Sequence, residues 1–491
     1  MSPVLLLISI LIPVVFGALM MLIRFKKTEP MRIYVLAVTM AAAILAWTAI
    51  ISPGDGRISL FELGEGFSFV LRFDGLGKFF AGIVATLWPM TVLYAYEYMK
   101  HDKRQNTFFA FFTMAFGATL GVTMAGNMFT MYCFYEMLTL STVPLVMHNM
   151  DRKSVRAAKT YFAFSIGGAA FAFASMMYLI NNHVIGLFAP YALKGHFDAA
   201  TQIFFLMGFF GFGVKAAVFP LDAWLPKAGV APTPVTALLH AVAVVKSGVF
   251  AIIRLTYYAF NVRTLNGSWA QTVALCFVCF TIVYGSARAL KENHFKRRLA
   301  YSTVANLSYI LLGVMLLTEA GLQAGLLHMA FHAEIKILAF FCAGAFIHMS
   351  GKEYVTDLNG IGKKMPVTFI CFTVSAFALT GIPPFSGFVS KWNLLSAAGE
   401  AGTPMAYIGA AAVLISALLT AMYMFTVCTR AWFPGKTDNT EAIAGAKETG
   451  IRMLIPMVIL AVALLVTGLF AGQIMDAIKS FTGGLTIYNA A

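Results

Sequence analysis

The chain has 491 residues, 60% of them hydrophobic and only 11% charged, against about 25% charged in an ordinary soluble domain. That apolar supply serves about 14 membrane-crossing helices of roughly 20 residues each and leaves little for an extramembrane domain. The net charge of +14 then reads as the basic bias of cytoplasmic loops, and a soluble enzyme, a disordered chain and a nucleic-acid-binding protein are excluded.

Apolar segments follow one another near 3–23, 33–51, 75–96, 107–126, 128–148, 158–180, 201–219, 233–253, 268–287, 299–317, 321–347, 366–396, 405–427 and 453–473. They predict an all-α polytopic membrane protein of about fourteen spans, because helices satisfy every backbone group inside a bilayer. The first run, MSPVLLLISILIPVVFGALMMLIRFKK, carries its charges after the apolar stretch, the reverse of a secretory signal, so it predicts an uncleaved helix that starts outside. With that orientation the inner loops hold 24 of the 35 lysines and arginines, among them Arg24, Lys26, Arg32, Arg152, Lys227, Lys296, Arg298 and Lys436. The outer side holds seven, among them Lys78 and Arg254. The bias fits the positive-inside rule, and an even span count puts both termini outside.

Two spans are interrupted by proline, the seventh before FPLDAWLP at Pro220 and the twelfth within LTGIPPFSGF at Pro383 and Pro384. They lie five helices apart, and broken helices at matching places point to inverted repeats. The expected division is an N-terminal three-helix segment over 1–106, a first repeat of helices 4–8 over 107–254, a second of helices 9–13 over 255–430, and an inner loop with helix 14 over 431–491. Cys276 and Cys279 form a lone C-x-x-C with no second pair to complete a metal site, so all six cysteines read as buried apolar filler. No metal or cofactor is expected.

The informative residues are ionisable groups too deep in apolar segments to reach an interface: Glu136, Lys215, His240, Lys246, His328, His332, Glu334, Lys336 and Lys391. Six carry a formal charge, and at about 2.5–3.5 kcal/mol each they cost roughly 15–20 kcal/mol on the insertion scale. One buried ion pair can simply hold two helices together, but a series across several helices reads as a relay. His328, His332 and Lys336 stand four apart and so form a nearly straight row on one helix face, whereas His240 and Lys246 diverge by about 120° and address different neighbours. A carboxylate beside a buried lysine favours its charged form, so bringing Glu136 to Lys215 loads a proton and separating them releases it.

The segments FYEMLTLSTVPLV, GVKAAVFPLDAWLPKAGVAPTPVTALLHAVAVVKSG, KRRLAYSTVANLSY, HMAFHAEIKILAFFCAGA and GIPPFSGFVSKW resemble the proton-translocating antiporter-like subunits of respiratory complex I and Mrp-type cation/proton antiporters, a family shared with membrane-bound hydrogenases. The resemblance implies roles residue by residue. Glu136 matches the fifth-helix glutamate and Lys215 its seventh-helix partner. His240 and Lys246 match the eighth-helix histidine and lysine, and His328, His332 and Lys336 the eleventh-helix histidines and central lysine. Lys391 matches the twelfth-helix ionisable residue that leads to the exit or the next subunit, and Asp74 in FDGLGKF the third-helix inlet motif. Lysine rather than glutamate at 391 favours the Mrp D-type branch and its counterparts in hydrogenase and formate-linked complexes, as does a chain with no room for the lateral helix of the largest members. Two positions depart from the pattern: Glu334, which lies two residues from Lys336 and either points elsewhere or tunes it, and Asn306, where the family often has glutamine.

The resemblance implies a subunit that moves protons, with sodium as a possible counter-ion, among other membrane subunits and sometimes beside a peripheral redox arm, in a bacterial or archaeal cytoplasmic membrane. A stand-alone solute transporter is the first alternative, and it predicts substrate groups around the helix breaks. A quinone-reactive subunit is the second, and it needs an electron donor that the sequence does not show.

Overall fold

The structure is a computed structural model that describes residues 2–23, 25, 27–190, 192–194, 198–435, 443, 445–482 and 485. Arg24, Lys26 and Lys436 of the inner-loop set lie outside the described residues. So does part of the loop and tail predicted within 431–491.

The chain begins with α1 (Pro3–Leu22) and α2 (Thr28–Ile51), followed by strands β1 (Arg57–Glu62) and β2 (Ser68–Arg72). Helices α3 (Gly75–Tyr98), α4 (Gln105–Thr123), α5 (Met128–Val146), α6 (Arg152–Asn181) and α7 (Ala199–Gly213) come next, then the short α8 (Trp224–Ala228). After them run α9 (Thr233–Ala241), α10 (Val244–Arg254), the short α11 (Val262–Leu265), α12 (Trp269–Lys291), α13 (Phe295–Met315) and the long α14 (Glu319–Ser350). The last helices are α15 (Pro366–Thr380), α16 (Ser386–Ala401), α17 (Pro404–Trp432), α18 (Ile451–Leu469) and α19 (Ala471–Thr482). Among the described residues ten helices are long and apolar enough to cross a membrane, counting Thr233–Ala259 as one. The protein is a multi-pass membrane protein built mainly of helices.

The expectation of an all-α chain needs one correction. β1 and β2 pair antiparallel, with Arg57 opposite Arg72 and a bulge between Ser59 and Phe61. RISLFE and SFVLR alternate side chains at the period of a strand, and Gly66 takes the positive φ of +82° that the connection requires. A lone hairpin is marginal in water. This one is docked: Val70 N–H donates to Thr130 Oγ1 at 2.9 Å, and the backbone of Arg72 and Gly126 bonds Met124 and Val70.

α14 is the centre of the bundle and is buried along most of its length. α6 and α7 touch backbone to backbone, since a Cβ on Gly168 would come within 2.6 Å of Gly211 O. Such small-residue contacts replace the hydrophobic drive that lipid does not supply. Helix starts are capped by side chains, including Asp151 on Ser154 N–H at 2.6 Å and Asp198 on Thr201 N–H at 2.7 Å. The amide hydrogen bond from Ser154 holds the Asp151 carboxyl below the usual range, so this cap is intact at neutral pH and is lost only as pH falls through that lowered value.

Four basic residues assigned to loops are instead buried. Arg32 bonds Tyr96 O at 3.0 Å, Lys296 bonds Ala231 O at 2.9 Å, Arg298 bonds Tyr423 O at 3.0 Å, and Arg254 pairs with a carboxylate described below. Each lies at a helix end, where a long side chain folds inward once a carbonyl or carboxylate is offered. Cysteine also needs correction: Cys276 is exposed and Cys133 half-buried, while the other four are buried. Cys276 faces outward from α12, so Cys276→Ser is expected to leave transport by the assembled complex within experimental error of the parent, as read by proton movement in vesicles.

Candidate functional site: a buried row of lysines and histidines

The row begins where α5 meets the broken end of α7. Lys215 follows the last turn of α7, and its Nζ lies 3.9 Å from Glu136 Oε1. The same ammonium donates to Tyr135 O and sits over the Tyr135 ring, 3.2 Å from its centroid. The break over 214–223 is held by Trp224, whose Nε1 donates to Val214 O at 2.7 Å. Ala217 takes a left-handed φ of 54° there, a conformation that costs a residue with a Cβ about 1–3 kcal/mol. Phe219–Pro220 and Pro383–Pro384, at the two predicted interruptions, are both cis.

A third interruption had no proline to announce it. The predicted eighth span is two helices, α9 and α10, separated at Val242 and Ala243, whose φ/ψ of −132°/−58° and −76°/−80° leave the helical region. Lys246 Nζ donates to Ala241 O, the carbonyl freed by this break. It also lies 3.2 Å from His332 Nδ1 on α14. Gly248, one half-turn further along α10, presses on the backbone and Cβ of Lys215, so α10 carries Lys246 past the Glu136–Lys215 pair.

From His332 the row continues along α14 to His328, ring centroids 5.9 Å apart and near parallel. His328 joins two other helices, through Nδ1 to Ser390 Oγ at 2.9 Å and through Nε2 to Asn306 Oδ1 at 3.2 Å. Ser390 is the neighbour of Lys391 on α16. Lys391 Nζ donates to Leu379 O at 2.6 Å and Thr380 O at 2.9 Å, the free carbonyls at the end of α15, and faces the Tyr309 ring at 5.6 Å. Gly381 leaves the space for this lysine: it has φ +94°, and a Cβ there would stand 3.1 Å from Lys391 Cδ.

The remaining predicted residues do not all join this line. Lys336 turns to α13, where it donates to Leu299 O at 3.1 Å and to Ser302 Oγ. His240 lies against the Phe340 ring at 4.9 Å. Neither of its ring nitrogens has a direct protein hydrogen bond among the described residues. Glu334 is rotated about 200° from both His332 and Lys336. It accepts from Thr467 Oγ1 at 3.0 Å and lines a separate cavity of about 640 Å³ with Lys78, Thr86 and Phe481. Asp74 forms a two-pronged ion pair with Arg254, both contacts 2.6 Å, and caps α3 through Gly77 N–H at 3.0 Å.

Sequence reasoning missed several of these participants. Arg254 was placed outside, although AIIRLTYYAF flanks it with apolar residues on both sides. Ser302 stands four residues before Asn306 on α13, so helical spacing from that already notable position could have pointed to it. Tyr135, Tyr309 and Ser390 carry no signal beyond adjacency to a charged residue.

Residues 125–428 match the family model described as NADH:quinone oxidoreductase/Mrp antiporter, TM. Subunit N of the NADH-quinone oxidoreductase of Desulforudis audaxviator is 31% identical over 419 residues, covering 81% of each chain. Na(+)/H(+) antiporter subunit A1 of Staphylococcus aureus is 27% identical over 502 aligned residues; the match covers 96% of this chain but only 62% of that longer subunit. In solved structures the fold recurs at TM-score 0.85 in the Mrp complex of a Dietzia species, with 21% identity and coverage of 98% and 97% of the two chains. It recurs at 0.83 in respiratory complex I of Thermus thermophilus, with 22% identity and coverage of 98% and 100%. With more than half its length matched by one family model and a relative above 30% identity over most of both chains, the protein belongs to the NADH:quinone oxidoreductase/Mrp antiporter transmembrane family.

Proposed function

We propose that this chain is a proton-translocating, antiporter-like membrane subunit of a multisubunit assembly, either an Mrp-type cation/proton antiporter or a related redox-driven ion pump. The observation that carries the reading is the line Lys246–His332–His328–Ser390–Lys391, in which buried groups from α10, α14 and α16 follow one another inside the bundle, with Glu136–Lys215 at its other end. Packing alone has no use for such a line, because intramembrane charges are expensive. The ion contact at Glu136 is long enough to loosen, and moving it would alternate Lys215 between holding and passing a proton. His240 and Lys336 stand beside the line as groups that tune it or store a proton. Orphaned polar atoms at His240, Ser247 and His332 Nε2 mark where water bridges would complete a path.

The same reading takes α7–α8 and α15–α16 as the broken helices of two inverted repeats, 107–254 and 255–430, within fourteen spans. The unit over 1–106 and the last helix flank them. The membrane is the cytoplasmic membrane of a bacterium or archaeon, with both termini outside. The partners are other membrane subunits, with a peripheral redox arm in the pump case, and the chain itself holds no cofactor. Subunit names in the relatives support this reading.

The test is Lys215→Ala in the assembled complex, followed by cation-dependent proton movement in vesicles. A fall to background is expected while the complex still assembles; unchanged transport removes Lys215 from the path. Genes for hydrogenase- or dehydrogenase-like subunits beside this one would favour the redox pump over the antiporter.

A further inference from the structure

Two cavities lie along one face of α6, and neither is lined by a residue of the buried row. The first, about 580 Å³, lies between α6, α8, α12 and α13 and is lined by Arg152, Lys153, Arg156, Lys227, Arg288 and Arg297. Against these six cations stand two carboxylates, Asp222 and Glu292. Arg297 is paired with Glu292 at 3.1 Å, and Arg288 bonds the Tyr301 hydroxyl at 3.0 Å. Arg152, Lys153, Arg156 and Lys227 form no salt bridge among the described residues. The second cavity, about 730 Å³, is almost wholly apolar, with walls that include Phe164, Phe171, Ile203, Phe210, Val214 and Phe277. Leu221 lines the apolar cavity and Asp222 the basic one, so consecutive residues of the seventh-helix break border both. One face of α6 runs through both.

The dimensions fit one kind of molecule. From residue 163 to residue 171 the apolar face of α6 extends roughly 12 Å, close to the depth of one leaflet's hydrocarbon, about 15 Å. The basic end lies on the side that the charge bias assigns to the cytoplasm, where the leaflet is anionic and basic pockets between helices take lipid headgroups. We propose that this flank is a binding site for an anionic diacyl phospholipid, its phosphate held by Arg152, Lys153, Arg156 and Lys227 and an acyl chain lying along α6 and α7. The chain would rest on Val214, Pro220 and Leu221, which bracket the backbone that positions Lys215. The lipid is then a wall of the broken helix as well as a neighbour.

Two variants test the two halves of the site. Arg152→Gln with Arg156→Gln removes headgroup charge. Gly167→Phe fills the apolar half, and a Cβ at Gly167 meets nothing within 4 Å, so the fold tolerates it. The complex is extracted from membranes in mild detergent, exchanged into phosphatidylcholine, and titrated with phosphatidylglycerol while bound lipid is counted by mass spectrometry. The parent is expected to retain phosphatidylglycerol selectively. The double charge variant should hold it about thirtyfold more weakly, the loss expected when two cations leave an anionic headgroup, and Gly167→Phe should lose it without loss of assembly. Equal retention by all three proteins, or no preference over phosphatidylcholine, overturns the site. Displacement by inorganic phosphate alone would show an anion site without a lipid, and a partner subunit's acidic segment crosslinked to residue 156 would show a protein interface; either overturns the proposal. Retention is read without transport, so failure of the proton-path reading leaves this result standing.

Discussion

Lys246→Met in the assembled complex is expected to lower cation-dependent proton movement by about two orders of magnitude or more, the scale on which loss of a proton-transferring group is felt. Lys246 links the eighth helix to the α14 histidines, through His332 Nδ1 at 3.2 Å. Methionine keeps the length of the stem in a fully buried site and removes only the titrating end. Ala241 O loses its donor, and a buried acceptor left unpaired costs about 1–3 kcal/mol. The complex should therefore assemble with a lower thermal midpoint and a dead proton path. Dye-quench measurements in vesicles with the parent's rate would remove Lys246 from the route.

The second large effect is on stability. Asp74→Ala leaves the Arg254 guanidinium buried and unpaired among Phe188, Phe250 and Tyr258, whose rings lie 4.6, 5.1 and 4.5 Å away. Breaking such a pair from one side costs about 3–5 kcal/mol, whereas replacing both partners with apolar groups is often neutral. Asp74→Ala alone should cut the yield of folded complex sharply, and Asp74→Ala with Arg254→Met should recover most of it. A double variant as unstable as the single one would mean that the cap on α3, and not the ion pair, is what Asp74 supplies.

Much of this architecture is written in local patterns. Helices lie over the apolar segments predicted from composition, and both proline-marked interruptions are breaks, although Pro13, Pro89, Pro144 and Pro456 sit inside continuous helices, so the hydrogen bond a proline removes does not by itself end a membrane helix. The eighth-helix break escaped because HAVAVVK contains neither proline nor glycine; the carbonyl it frees on Ala241 is taken up by the amine of Lys246, five residues further along. The hairpin was hidden by a short, polar-tipped connection between two apolar segments. Residues of the row could be named one by one from their cost in a membrane, but their partners could not. Spacing placed His328, His332 and Lys336 on one face of α14, whereas His328 contacts both α16 and α13, His332 contacts α10 and Lys336 contacts α13, and that divergence depends on neighbours distant in the chain. Arg254 and Asp74 are separated by 180 positions, beyond any periodicity.

The two lysines that close interrupted helices have a consequence for how charge is managed. Lys246 meets the terminal carbonyl of α9, and Lys391 meets the last carbonyls of α15. Aligned peptide dipoles place about half an elementary negative charge at such an end. Each severed helix thus serves as a diffuse counter-ion that cannot itself be protonated. A cation can rest there without a carboxylate that would compete for its proton, and successive cationic stations can be strung together without a matching string of acids.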